Sequence, residues 1–336
     1  MSDLIFKIIF IASVFGISLF IAMYTTYAER KIAAFLQDRL GPNRAGPFGL
    51  LQPLADGIKL FFKEEFIPKV SDRFLFILGP SLFMCTALMT SAVIPFAPDL
   101  KIGDRIFEMQ GADLNVGILY IFGVVSLGVY GILIGGWASN NKFSLLGAIR
   151  AASQNISYEL AMGLSIVSLI MVSSSLSLRE IVEQQAGMNW NVIYQPLGFL
   201  IFIICAFAET NRAPFDLPEC ETELVGGFHT EFSSMKLGFY LFAEYINVFI
   251  SSAVIATLYF GGYQFPFISS MDAGILKTVL GAAVMFGKIT FFIFLFIWIR
   301  WTLPRFRYDQ LMNLGWKVLI PLAVLNILLT ALFILF

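Results

Sequence analysis

Long apolar segments constrain the fold of this chain more than any other feature. A helix needs about 20 predominantly apolar residues to cross the hydrocarbon core of a bilayer. Eight segments follow that rule, the fourth and fifth being short, near residues 5–27, 74–96, 116–138, 160–176, 192–208, 237–260, 279–299 and 318–336. Only 13% of the residues are charged, against about 25% in soluble proteins. The sequence therefore predicts an all-α integral membrane protein with eight transmembrane helices, forming a single membrane domain over residues 1–336.

The basic residues between these segments predict the orientation of the chain. Short cytoplasmic loops of membrane proteins carry an excess of Lys and Arg. Sixteen such residues lie in the loops that follow the first, third, fifth and seventh segments, whereas the other loops hold four. We therefore expect the odd-numbered loops to be cytoplasmic and both termini to lie on the opposite side.

The first cytoplasmic loop contains a predicted amphipathic helix near residues 52–63. Pro53 suits the first turn of a helix, and the apolar side chains that follow recur on one face. Asp56 and Lys59 occupy the other face. Two interpretations stay open: the helix anchors the chain on the membrane surface, or it walls the mouth of a cavity that opens to lipid.

Acidic residues cluster between the fifth and sixth apolar segments. Burying a charge at the bilayer centre costs about 2.5–3.5 kcal/mol on insertion scales, so acids there face water, pair with cations or hold protons. Carboxylates that are partly protonated are what a proton route needs. The alternative is a solvated acidic loop. The acids of this stretch are Glu209, Asp216, Glu219, Glu221, Glu223, Glu231 and Glu244.

A short helix after Pro218 would place Glu219 and Glu223 on one face, with Glu221 turned away. In a desolvated setting, two carboxylates this close share protons and titrate as a pair. Apolar residues interleave with the acids throughout the loop. This pattern favours a folded, partly buried segment over a solvated one.

Two further ionisable residues have two interpretations each. Glu159 lies at the predicted start of the fourth segment, where it either stabilises the helix dipole or belongs to a functional acid cluster. His229, the only histidine, either shuttles protons or makes a structural hydrogen bond. One His and three Cys without a C-x-x-C pair argue against a metal, haem or iron–sulfur centre ligated by this chain alone.

Four stretches of the chain, in this order, resemble the H-type membrane component, also called subunit 1, of the proton-translocating NADH–quinone oxidoreductases (respiratory complex I). The likeness covers essentially the whole chain. The stretches are AERK with GPNRAGPFGLLQPLADGIKLFFKE; GWASNNKFSLLGAIRAASQNISYEL; AETNRAPFDLPECETELVGGFHTEFS closed by EYIN; and RWTLPRFRYDQLMNLGWK.

The resemblance implies a place at the heel of the membrane arm, with a quinone tunnel that opens near the first and sixth segments and the amphipathic helix. The implied tunnel residues are Glu29, Arg30, Asp56, Lys59, Phe228, His229 and Glu231. The implied proton-route residues are Glu159, Glu209, Arg212, Asp216, Glu219, Glu221, Glu223 and Glu244.

The resemblance also implies the partners of the chain and its location. Quinone, either ubiquinone or menaquinone, would be the substrate, while NADH, FMN and the iron–sulfur clusters would belong to partner subunits. The chain would lie in a bacterial inner membrane among lipid and other complex I subunits, with no nucleic acid partner. The basic, aromatic stretch after the seventh segment either anchors the chain at the interface or seats the peripheral arm.

Three other functions stay open on the residues. The chain could be the membrane subunit of an energy-converting hydrogenase, which shares this ancestry and lacks a quinone. It could be a stand-alone cation or proton transporter, although the paired interrupted helices and repeat symmetry of many transporters are not evident. It could also be a passive structural anchor whose acids are solvated.

Overall fold

The computed structural model describes residues 2–102, 105–218, 221–269 and 274–335, which form a helical bundle with one pair of short strands. The first helices are α1 (Ser2–Leu36), α2 (Gln52–Phe62), α3 (Arg73–Ser91), α4 (Gly117–Ala138), α5 (Lys142–Ser173), α6 (Leu178–Gln184) and α7 (Asn191–Tyr194). The others are α8 (Pro196–Glu209), α9 (Glu221–Leu224), α10 (Ser234–Tyr259), α11 (Pro266–Ser269), α12 (Ile275–Thr302), α13 (Tyr308–Asn313) and α14 (Ile320–Leu335). Short 3₁₀ turns occur at Pro47–Gly49 and Gly227–His229, and a π-helix at Leu314–Leu319. Strands β1 (Leu100–Ile102) and β2 (Arg105–Phe107) pair antiparallel.

Seven helical segments within the described residues are long and apolar enough to cross a bilayer. They are α1, α3, α4, α5, α10, α12 and the continuous run that contains α13, the π-helix and α14. The predicted segment 192–208 forms α7 and the 14-residue α8 instead. Gln195 separates these two helices with a non-helical backbone, because the α conformation is disfavoured before a proline. The all-α membrane fold is therefore confirmed, with the fifth apolar segment shorter than a full span.

Helices α1 and α5 extend into stretches that the sequence analysis assigned to loops. Helix α1 continues to Leu36, so Glu29 and Arg30 lie on a helix. Helix α5 begins at Lys142 rather than near residue 160, and Asn141 caps it by accepting a hydrogen bond from the Phe143 amide at 2.9 Å. Glu159 therefore lies in the middle of α5, and its interpretation as a residue at the helix start is wrong.

Helix α10 is the centre of the bundle and packs against α1, α3 and α12. Its Tyr240 hydroxyl donates to the Gly131 carbonyl of α4 at 3.1 Å. Helices α3 and α4 approach closely at Gly79 and Gly135, where a Cβ on Gly79 would lie 2.8 Å from the Cα of Gly135. Small residues of this kind let membrane helices pack backbone to backbone.

Hydrogen bonds between buried side chains join α14 to the rest of the bundle. The side-chain amide of Asn326 in α14 donates to the Ser168 hydroxyl of α5 at 2.7 Å and to the side-chain oxygen of Gln195 at 3.0 Å. Gln195 in turn donates to the Thr330 hydroxyl at 2.8 Å. These contacts give the polar groups the hydrogen-bond partners that lipid could not provide.

The amphipathic helix forms as predicted and is α2, over Gln52–Phe62. It packs against α1 and α10. Asp56 turns inward to α1, whereas Ile58 and Phe61 are exposed on the outer side. An exposed apolar face next to membrane-spanning helices suits contact with lipid, so both predicted roles, anchor and cavity wall, are compatible with this position.

Candidate functional site

A largely buried cluster of four charged side chains and one tyrosine lies where α1, α10, α12 and the chain after α8 meet. We call Glu29, Arg212, Tyr245, Arg300 and Glu244 the charge cluster. An Arg212 Nη lies 2.8 Å from a Glu29 carboxylate oxygen, and both side chains are less than a tenth exposed. Arg300 forms a second ion pair with Glu29, and the Tyr245 hydroxyl donates to it at 3.0 Å. Arg212 also lies 4.0 Å from Glu244. Two guanidinium groups thus face two carboxylates.

The position of Arg212 follows from the way the chain leaves α8. Asn211 adopts a left-handed backbone, with φ of 50°, which Asn tolerates better than most residues. Gln154 of α5 then holds the turn, because its side-chain amide donates to the carbonyls of Ala208 at 2.7 Å and Phe215 at 2.9 Å. The chain is therefore fixed on both sides of Arg212.

The environment of Arg212 keeps it charged. Burial acts to lower its pKa, but the interactions with Tyr245, Glu29 and Glu244 outweigh burial, so the pKa of Arg212 is raised above its usual value. The guanidinium also lies 3.9 Å from the centre of the Tyr245 ring. A cation over an aromatic face is attracted to it, most strongly away from water.

Other predicted route residues lie outside the charge cluster. Asp216 is buried and pairs with Arg305 at 2.8 Å. Glu209 ends α8 and lines a cavity of about 40 Å³ together with Asn247 of α10. This volume suffices for water. Glu159 is hydrogen-bonded to the Ser126 hydroxyl of α4 and lines an open groove between α4 and α5.

The acids after Pro218 differ from the expectation in part. Glu223 is 53% exposed within this chain and pairs with Arg150 at 2.7 Å, so this acid is not sequestered by the chain alone. Helix α9 spans only Glu221–Leu224. Glu219 lies outside the described residues, as does the side chain of Glu221, so the predicted pairing of Glu219 with Glu223 stays a prediction.

A cavity of about 160 Å³ lies between α1, α2 and α10, and we call it the lipid-side cavity. Asp56 and Arg30 form an ion pair of 2.6 Å in its wall, and Gln52 donates to Asp56 at 3.1 Å. Lys59 lies on the exposed side of α2. The lining residues are Met23, Thr26, Arg30, Pro53, Asp56, Gly57, Leu60, Leu241, Phe242 and Tyr245.

The GFHTE stretch lies elsewhere, against the start of α5. Phe228 is fully buried, and its carbonyl accepts a hydrogen bond from the Ser144 hydroxyl at 2.8 Å. His229 is half-buried beside it, with the two rings 5.2 Å apart. Glu231 accepts from the Asn141 amide at 2.6 Å. The predicted tunnel residues thus fall into separate groups: Arg30 and Asp56 at the lipid-side cavity, Lys59 outside it on the exposed side of α2, Glu29 in the charge cluster, and these three near α5.

Sequence reasoning missed several members of the site. Tyr245 belongs to the EYIN string, and Arg300 and Arg305 belong to the basic stretch after the seventh segment, but sequence alone assigned none of them a partner. Their adjacency to Glu29 and Asp216 arises only in the folded chain. Among the residues that the structure describes, no three His, Cys, Asp or Glu side chains group together as a metal site requires.

Comparisons with known proteins add to this geometry. A family model described as NADH dehydrogenase matches residues 8–331. The chain is 65% identical to the NADH-quinone oxidoreductase H 1 subunit of Cytophaga hutchinsonii, over 96% of this chain and 95% of that protein. It is 63% identical to the corresponding H subunit of Flavobacterium johnsoniae, over 96% and 93%. It is 50% identical to NADH-quinone oxidoreductase subunit 8 of Rhodothermus marinus, over 93% and 92%.

Proposed function

This chain belongs to the NADH-quinone oxidoreductase H-subunit family, and we propose on that premise that it provides quinone access and couples quinone reduction to proton pumping. It is a multi-pass membrane protein and a component of an oxidoreductase complex. The observation that supports the proposal is that the lipid-side cavity lies directly beside the charge cluster.

The lipid-side cavity suits a quinone because its two kinds of surface match the two parts of that molecule. Met23, Leu60, Leu241 and Phe242 offer apolar contacts for an isoprenoid tail. The Arg30 side of the cavity offers hydrogen-bond donors to the carbonyl oxygens of a headgroup. The position between α1, α2 and α10, with the apolar face of α2 turned outward, is where a substrate leaving the bilayer would arrive.

The carboxylates form the second half of the proposed function. Reduction of a quinone places negative charge near the cavity until protons arrive, and such charge favours protonation of nearby carboxylates. The buried acids Glu29, Asp216 and Glu244, together with Glu209 beside its small cavity, would relay this change along the membrane interior. Glu159 would continue the route on α5.

Partner subunits and orientation complete the proposal. The end of α12 and the stretch after it expose Trp301, Arg307 and Trp316, which suits a docking surface for a peripheral arm carrying FMN and iron–sulfur clusters. We place this stretch on the cytoplasmic side of a bacterial inner membrane, because of the excess of Lys and Arg in the odd-numbered loops. The naming of the relatives favours this function over the hydrogenase, transporter and passive-anchor alternatives.

The proposal is tested in the assembled complex with a Glu209→Gln, Asp216→Asn double variant. We expect normal amounts of complex but loss of NADH-driven proton uptake into inverted vesicles. Glu108→Gln is the matched control, because Glu108 pairs with Lys7 at the exposed end of α1, and it should pump normally. Normal pumping by the assembled double variant would refute the carboxylate route.

A further inference from the structure

One residue belongs to both halves of the proposed site. Tyr245 lines the lipid-side cavity next to Phe242, on the same face of α10. Its hydroxyl also donates to Glu29 at 3.0 Å inside the charge cluster. Among the described residues, no other side chain both lines this cavity and belongs to the cluster. The phenol ring is therefore part of the partition between the two.

The contacts of Tyr245 hold Arg212 toward one of two acids. The guanidinium lies over the Tyr245 ring at 3.9 Å and 2.8 Å from Glu29, while Glu244 lies farther away at 4.0 Å. Arg212 thus has two carboxylates within reach and a strong contact with one. A ring that shifts would loosen both the hydrogen bond to Glu29 and the cation–π contact with Arg212.

We propose that Tyr245 transmits occupancy of the lipid-side cavity to the charge cluster, by letting Arg212 move from Glu29 toward Glu244 when a quinone presses on the phenol ring. This inference rests on the proposed function. No proton or electron passes through Tyr245; it is a positioning residue for Arg212 and Glu29. A switch of this kind requires an element with two discrete arrangements, and the two acids beside one arginine supply them.

The test compares two variants on the same face of α10 in the assembled complex. Tyr245→Phe keeps the ring in the cavity wall and removes the hydroxyl that holds Glu29. We expect its KM for a short-chain ubiquinone analogue to stay within about twofold of wild type, while protons pumped per NADH fall by half or more. Phe242→Leu is the control, because Phe242 lines the cavity and is not a member of the charge cluster. Its KM should rise by about tenfold, the effect of a lost contact worth about 1.4 kcal/mol, with normal protons per NADH.

The outcomes separate this inference from the proposed function. Normal pumping by Tyr245→Phe together with a raised KM for Phe242→Leu would overturn the role of Tyr245 and leave quinone access intact. An unchanged KM for Phe242→Leu would overturn quinone access through this cavity, and the inference with it.

A second measurement covers the case in which Tyr245→Phe does not assemble. Replacing Tyr245 by 3-fluorotyrosine changes the side chain by a single fluorine and preserves the hydroxyl. We expect its fluorine resonance to shift when the short-chain quinone is added to the complex. A resonance that does not move at saturating quinone would contradict the proposal.

Discussion

Arg212 and Glu29 lie 183 positions apart in the chain and meet as a buried ion pair of 2.8 Å. Burial removes both ions from water, and such pairs add little net stability compared with apolar residues of the same shape. The two residues depend on each other in another way: the charge of each makes it tolerable to bury the charge of the other. Loss of either partner leaves the charge cluster with one charge in excess, although Arg300 still faces Glu29 and Glu244 still faces Arg212.

Substituting Arg212 by Gln should destabilise the complex by about 3–5 kcal/mol, the range for breaking a buried pair from one side. The Arg212→Gln, Glu29→Gln double variant should recover part of this loss, because the cluster then keeps one guanidinium, Arg300, and one carboxylate, Glu244, and its charges balance again. Arg150→Gln is the control, since it breaks an ion pair with the exposed Glu223 and should cost at most about 1 kcal/mol. Thermal dissociation of the purified complex measures these three variants and the Glu29→Gln single variant. A double variant less stable than the single one by the full Glu29→Gln effect would argue against coupling.

Gly79→Ala should weaken the contact between α3 and α4. The added Cβ would lie 2.8 Å from the Cα of Gly135 and 2.8 Å from the Tyr240 hydroxyl oxygen, so the helices must separate. Overpacking of this kind costs about 1–3 kcal/mol. Gly123→Ala in α4 is the matched control, because a Cβ there meets nothing within 4 Å. Equal thermal midpoints for the two alanine variants would contradict the prediction.

Lys288→Met should destabilise the end of α10. The Lys288 ammonium of α12 donates to the carbonyls of Phe260, Gly262 and Gln264 at 2.6–2.7 Å. Without the ammonium group, carbonyls near the helix terminus lose their donor. Each carbonyl left unsatisfied lowers the free energy of unfolding by about 1–3 kcal/mol. Proteolysis or hydrogen exchange of the segment 260–264 would detect the local opening. Lys69→Met changes an exposed lysine and should leave this segment protected.

The Glu65–Lys236 pair should make stability depend on pH in the acid range. A hydrogen bond and the positive charge of Lys236 hold the pKa of Glu65 below its usual value of 4.5. The pair therefore makes its whole contribution to stability when the pH is above the pKa of Glu65 in the unfolded chain. This contribution is lost as the pH falls through the lower pKa of Glu65 in the folded protein. Glu65 is 60% exposed, so the effect is screened to less than about 1 kcal/mol. The Glu65→Gln variant should lose less stability than wild type between pH 6 and pH 3, measured by thermal midpoints. If the thermal midpoints of both proteins fell equally over this pH range, the pair would be excluded as a source of the pH dependence.

The predicted helices and the observed ones differ mainly at their ends. Apolar length predicted which helices are long enough to cross a bilayer, and a proline followed by apolar residues at helical spacing predicted α2. The same criterion missed the start of α5 at Lys142, because polar residues interrupt the apolar run in the first half of this helix. These polar residues pack inside the bundle or face its surface, and they do not lower the helix propensity of the alanines between them. It also overestimated α8, where the backbone breaks at Gln195.

The sequence by itself determined the class of the protein, the approximate positions of its apolar helices and the presence of acids that a membrane protein must compensate. Hydrophobic length and charge are local properties, so they can be read without coordinates. Only the tertiary structure decided that Glu29 faces Arg212 and Arg300, that Asp216 faces Arg305, and that Glu223 stays exposed. These pairings depend on how the helices cross and on where the loops between them return, which are properties of the whole packed bundle.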